Sequence, residues 1–175
     1  MSLLLNLSQR SSQYIDALNE QIGRSVSWLS LVMVLVVFCI VVLRYLFDAS
    51  WVMMQGSVIY LHSIIFMLGA SYTLKHDGHV RVDIVYQRCS PKVKAWVDLL
   101  GSLFLLIPVS LFILWSSWEY VADSWSILES SRNSGGLPLV YLLKSCLILM
   151  SGLLVLQGLS LILKKINYLV GAKHG

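Results

Sequence analysis

Hydrophobic residues along this chain fall into long unbroken blocks, and polar residues are confined to the joints between them. Val26 to Leu43 is eighteen residues without a charge, rich in Val, Leu and Ile. At ~1.5 Å per residue that is about 27 Å of helix, close to the apolar thickness of a bilayer. Trp51 to Leu74 is a second block free of Asp, Glu, Lys and Arg, and Leu99 to Trp118 a third; Leu137 to Leu163 is a fourth, interrupted only by Lys144. The pattern predicts an all-α integral membrane protein with four transmembrane helices, over about 26–46, 51–74, 97–118 and 137–163. Arg44, Tyr45, Asp48 and Trp51 make a short joint with aromatics at the water boundary, so the first two spans form a tight hairpin.

Before the first block, residues 8–25 carry Tyr14, Ile15, Leu18 and Ile22 at helical spacing among polar residues. This predicts an amphipathic helix lying in the membrane interface, an N-terminal segment of residues 1–25 ahead of a membrane domain of 26–163 and a tail of 164–175. Ser90-Pro91 reads as a helix cap followed by proline at the first helical position, where its missing N–H costs nothing. Pro108, inside the third block, removes one backbone hydrogen bond and predicts a bend. Glu119, Asp123, Glu129 and Arg132 mark the next polar connection, which closes on the turn-forming Asn133-Ser134-Gly135-Gly136 before Pro138 opens the last span.

Composition agrees with a chain built for lipid: 57% of residues are hydrophobic and 13% charged, where soluble domains carry roughly 25% charged residues. The net charge of +4 is scattered over segment ends rather than gathered in a stripe, which points to membrane topology and away from nucleic acid. With four spans, Arg10, Arg24, Lys75, Arg81, Arg88, Lys92, Lys94, Lys164, Lys165 and Lys173 share one side, against Arg132 with Arg44 and Lys144 near its membrane edge. The positive-inside rule then places both termini and the basic loop in the cytoplasm. Cys39, Cys89 and Cys146 have no metal-ligand spacing and form no disulfide framework, and residues 1–25 lack the features of a cleavable signal peptide.

Ionisable groups inside a bilayer are costly enough to be functional candidates. His62 lies halfway along the second span without a histidine at matching depth elsewhere, so a neutral imidazole bonded to a neighbouring helix is expected rather than a haem ligand. Lys144 is about 10 Å into the fourth span; either its long stem snorkels outward to water, or it pairs with Glu119, Asp123, Glu129 or Asp48 or with a partner subunit. The sequence holds no Ser–His–Asp set, zinc-binding HExxH, phosphate-binding glycine loop or intramembrane carboxylate pair. Nor does it show inverted repeats or paired broken helices around a polar centre. No catalytic residue, metal or cofactor is expected. Gly69 and Thr73, four apart in the second span, and Ser151-Gly152 and Gly158 in the fourth allow close helix packing.

Several short runs in this sequence carry a family resemblance. Leu68-Gly69-Ala70, then Lys75-His76-Asp77-Gly78-His79-Val80-Arg81-Val82-Asp83, then Ser90-Pro91 resemble the second-span exit and cytoplasmic loop of the small membrane subunit of tripartite ATP-independent periplasmic (TRAP) transporters. Glu129-Ser130, Gly135-Gly136-Leu137-Pro138, Leu142-Leu143-Lys144 and Leu156-Gln157-Gly158-Leu159 look like the branch labelled as transporting mannitol, chloroaromatic compounds or oxo acids. The resemblance covers about Val26 to Leu163. It implies a bacterial inner-membrane complex in which a large membrane subunit carries the substrate and sodium sites. A periplasmic binding protein delivers the substrate, usually an organic acid anion, and the small subunit braces the large one. One departure stands out: where the family usually has an acidic residue early in the second span, this chain has Gln55-Gly56. The chain runs twelve residues past Leu163, and its large partner is expected to be a separate polypeptide.

Two functional readings follow, a bracing subunit of a sodium-coupled transporter and a membrane anchor or assembly subunit of another inner-membrane complex. The candidate interface or structural residues are His79, Arg81, Asp83, Lys144, Arg44 and Gln157. Arg81 and Asp83 alternate with Val80, Val82 and Ile84, so a surface-lying segment could bury the valines at headgroup level while presenting one charge of each sign. Such a segment would pin the cytoplasmic ends of the second and third spans, or dock the large subunit; as a solvated loop it would only set topology.

Overall fold

A computed structural model of the chain describes residues 2–79 and 86–171, with side chains from residue 8 onward. The regular elements described are all helical: α1 (Ser2–Leu46), α2 (Val52–Lys75), α3 (Pro91–Gly101), a π-helical turn (Ser102–Leu106), α4 (Ile107–Ser126) and α5 (Val140–Gly171). α3, the π turn and α4 are continuous, so four rods are long and apolar enough to cross a membrane. Successive rods are antiparallel, which brings the amino end, the segment after α2 and the carboxyl end of α5 to the same face.

Local chemistry explains the boundaries. The amino segment is helical, as its periodicity predicts, and it continues into the first span without a break. The first hairpin closes where Ala49 N–H donates to the Leu43 carbonyl at 3.0 Å and Asp48 takes a left-handed φ of 51°. Ser90 caps α3 by accepting the Val93 N–H, and Pro91 sits in the first turn. The third rod runs on to Ser126, so Glu119 and Asp123, expected in the connection, are helical. Gly135 has φ +75° in the turn before α5, a conformation open to glycine without steric cost. Leu137 and Pro138 remain in that turn, and α5 begins at Val140.

Pro108 has a local consequence the sequence pattern did not resolve. Its ring would press on the carbonyl of residue 104, one turn earlier. That carbonyl lies within the π turn Ser102–Leu106, whose wider winding relieves the conflict by inserting one extra residue. Ala95, Ser102, Ser110, Ser117 and Ser124 are all buried on this rod. They recur every seven residues except across the π turn, where the step is eight. The insertion therefore keeps one row of small residues aimed along a single face.

α5 is the hub, packing against α1, α2, the π turn and both halves of the third rod, while α1 also packs on α2. At Gly158 an added Cβ would meet Leu106 Cδ2 at 3.0 Å and Ile107 Cγ1 at 3.2 Å, so glycine permits the close approach of α5 to the π turn. The interior is the reverse of a soluble core. Buried apolar residues are Val26, Ala95, Val121 and Cys146, whereas the buried polar set includes Asn19, Gln157 and a series of serines. Phe66 is 70% exposed and Trp115 86% exposed. Lipid tails solvate such rings as well as protein does, so burial is reserved for small residues that let backbones approach and for polar groups that must be paired.

Candidate functional site

Polar side chains gather at two levels, one at each end of the apolar band. Lys144 and Lys164 on α5 mark them, and twenty residues of helix between them span about 30 Å, the thickness of a bilayer's hydrocarbon core.

The first level begins with a network between α1 and α5. Asn19 Nδ2 donates to Gln157 Oε1 at 2.7 Å, and Gln157 Nε2 donates to Asp16 Oδ1 at 3.2 Å. Ser160 Oγ donates to the same Asp16 oxygen at 2.8 Å, and Lys164 pairs with the other. Gln157, Asn19 and Ser160 are fully buried. One turn further on, Glu20 receives Arg24 at 2.8 Å, Lys75 at 2.7 Å and His76 at 2.8 Å, tying α1 to the end of α2. Asp98 on α3 pairs with Lys165 at 2.6 Å and accepts the Tyr86 hydroxyl at 2.8 Å, fastening the far end of the loop to the last two rods.

The second level centres on Glu129. Its carboxylate pairs with Lys144 and accepts the Ser124 hydroxyl at 2.7 Å, while its backbone carbonyl accepts the Val140 N–H at 3.2 Å. The Lys144 ammonium also lies 3.8 Å from the Tyr120 ring centroid, a cation–π contact. Trp125 Nε1 donates to Ser145 Oγ at 2.8 Å, so α4, the connection and α5 are locked together. Hydrogen bonds from Lys144 and then Ser124 hold the Glu129 carboxyl below its ordinary range.

Each cluster joins two or more rods, and its charges are compensated at a membrane edge. Among the described residues no group of three His, Cys, Asp or Glu could hold a metal ion. Between the two levels the interior is lined by serine, glycine and apolar side chains.

The expected residues divide unevenly. Gln157 sits at the centre of the α1–α5 network. Lys144 is half-buried, and of the four carboxylates within its reach Glu129 is the one that meets it. Arg44 is exposed on the last turn of α1, where a cation complements the carbonyl end of the helix. His79 is exposed beyond α2. Arg81 and Asp83, with the valine alternation around them, lie outside the described residues. His62 departs from expectation: it faces outward, stacks on Phe66 with ring centroids 6.2 Å apart, and has no hydrogen bond to a neighbouring helix among the described residues.

Asp16, Asn19 and Glu20 were missed as site residues. The apolar stripe is the stronger pattern in the amino segment, yet Tyr14 is 78% and Leu18 45% exposed. Its polar face is the one that packs on protein. The available signal was the 4-3-4-3 spacing of Ser12, Asp16, Asn19, Gly23 and Val26, a seam of mostly small or polar residues continuing into a membrane span.

Comparison with known proteins accords with this geometry. Residues 33–167 match the family model described as tripartite ATP-independent periplasmic transporters, DctQ component. No curated protein and no solved structure matches the chain. The matched region takes in the last part of the first rod, all of the second and third, and all but the final turn of the fourth. The chain therefore belongs to the DctQ component of the TRAP transporters, a family of small, non-catalytic, multi-pass subunits of the inner membrane.

Proposed function

We propose that this chain braces the large membrane subunit of a sodium-coupled TRAP transporter that imports organic acid anions delivered by a periplasmic binding protein. The observation that carries the reading is the distribution of charge. The ion pairs seen among the described residues stand at the two ends of the apolar band. They are consumed in holding rods together, which suits a rigid partner better than a carrier that must expose a charged site to each side in turn. Sodium and substrate are bound by the large subunit.

In this reading the face bearing Glu20, Lys75, Asp98 and Lys165 is cytoplasmic, with both ends of the chain, and Glu129 and Lys144 are periplasmic. Arg81 and Asp83 serve to pin the cytoplasmic ends of the second and third spans or to dock the large subunit. Impermeant thiol reagents applied outside intact cells should leave Cys89 unlabelled; ready labelling reverses the orientation. Reversing the charges of Arg81 and Asp83 together should lower uptake and recovery of the complex, and wild-type values for both would reduce the loop to a topology signal.

The test of function is uptake by vesicles holding the large subunit and the binding protein under an imposed sodium gradient. Uptake of an organic acid anion should require this chain. A full rate in its absence overturns the bracing function, and a rate indifferent to sodium overturns the coupling.

A further inference from the structure

On α2, Gln55, Ile59, His62, Phe66, Gly69 and Thr73 follow one another in steps of four and three. That spacing keeps all six on one face over about 27 Å of helix. Ile59 is 61% exposed and Phe66 70% exposed, and the outward set also includes Gln55 and His62. Gly69 continues the row with nothing within 4 Å of where its Cβ would be. Within this chain, then, the glycine is not used for the close helix approach that its position beside Thr73 suggests.

His62 makes this face unsuited to lipid alone. It stands about 20 Å from the Lys75 level, deep in the apolar band, and its one ring contact is the stack on Phe66. A ring that must carry an N–H donor and a bare nitrogen acceptor costs several kcal/mol in hydrocarbon when neither is bonded. The outward face of α1 is different, running through Leu31, Val34, Leu35, Phe38 and Val41, side chains that lipid tails solvate without cost. The exposed Ser116 on α4 satisfies itself by donating to the Ile113 carbonyl.

We propose that this α2 seam is the docking surface for a transmembrane helix of the large subunit. The partner backbone approaches closely at Gly69 and presents a hydrogen-bonding group to His62. The proposal rests on the bracing function above and specifies where the brace is applied. The large subunit is the occupant because it is the membrane-embedded partner that the bracing function requires, and because an imidazole at mid-depth needs a polar group that lipid tails do not offer.

The experiment is co-purification of the co-expressed large subunit with tagged wild-type, Gly69→Trp, His62→Leu, His62→Gln and Val34→Trp chains. Each isolated chain's unfolding midpoint and oligomeric size in detergent are measured alongside. Gly69→Trp should lower recovery at least tenfold with a midpoint no lower than wild type, because nothing in the isolated chain lies within 4 Å of the added Cβ. His62→Leu should lower recovery severalfold, and His62→Gln should restore part of it. Val34→Trp should behave as wild type. Undiminished recovery with Gly69→Trp and His62→Leu, or an equal loss with Val34→Trp, overturns the seam while leaving the bracing function intact. A wild-type dimer of this chain that Gly69→Trp dissociates assigns the seam to a second copy and overturns the proposal. Failure of the wild-type chain to recover the large subunit removes the bracing function itself.

Discussion

At Gly23 α1 packs directly against the Tyr72 side chain of α2, and adding one methyl group there tests the packing of these two helices. A Cβ at this position would lie 2.3 Å from both Cγ and Cδ2 of Tyr72 and 2.6 Å from its Cβ. Ordinary carbon contacts are about 3.5–4.0 Å, so the overlap exceeds 1 Å. Turning the ring does not relieve it, because the Tyr72 Cβ is fixed to the backbone and the ring itself packs on His76, with centroids 4.5 Å apart. The helices must separate, which strains the Glu20–Lys75 pair one turn away. Two effects of Gly23→Ala oppose each other. Replacing a mid-helix glycine gains about 0.8–1 kcal/mol in helix propensity, and overpacking costs about 1–3 kcal/mol. Gly152, mid-helix in α5 with nothing within 4 Å of its would-be Cβ, supplies the propensity term alone. Unfolding of the purified chain by SDS titration in mixed micelles, followed by tryptophan fluorescence, should therefore show Gly152→Ala at or above wild type. Gly23→Ala should fall about 1–3 kcal/mol below Gly152→Ala. Equal stability of the two variants would refute the close α1–α2 contact.

Other consequences can be measured on the same chain. Gln157→Leu removes the acceptor for Asn19 and a donor to Asp16 in a buried setting and should cost about 1–3 kcal/mol, read by the same titration; a neutral result would mean water reaches the network. Because Glu129's carboxyl is held below its ordinary range, its contribution is fully present above the unfolded-state value of about 4.3. It is lost as pH falls through the lowered folded-state value. The stability gap between wild type and Glu129→Gln should thus be constant from pH 7 to about 5 and close in stronger acid, and a gap that widens on acidification would contradict the pairing with Lys144. Lys144→Leu should reduce recovery of the assembled transporter through loss of this clamp, and unchanged yield and uptake would remove Lys144 from the assembly.

The four spans were legible because charge-free blocks of bilayer length leave few alternatives. Lys144 was legible as a candidate, but a lysine near a span end can also snorkel to water, so the sequence did not choose between that and pairing, nor pick Glu129 from the four carboxylates within reach. What the pattern hid is instructive. Hydrophobic periodicity in the amino segment pointed to Tyr14, Ile15, Leu18 and Ile22, and in water such a stripe would face protein. In lipid that signal weakens: Tyr14 and Leu18 face outward while Ile15 and Ile22 are half-buried beside the seam, and the informative row is Ser12, Asp16, Asn19 and Gly23. The π turn was hidden as well, because Pro108 signals a lost hydrogen bond but not how the helix absorbs it. The eight-residue step from Ser102 to Ser110 in a row otherwise spaced by sevens was the trace of that insertion. His62 misled for another reason. The rule that a polar group in a membrane finds a partner held no information about whether the partner belongs to this chain.

If the chain is a brace, its effect must appear in the molecule it braces. The most direct measurement is the unfolding midpoint of the purified large subunit in detergent, alone and with this chain bound. A clear rise on binding, paralleled by a rise in the fraction able to transport after reconstitution, is the result expected. A large subunit equally stable and equally active without its small partner would contradict the account.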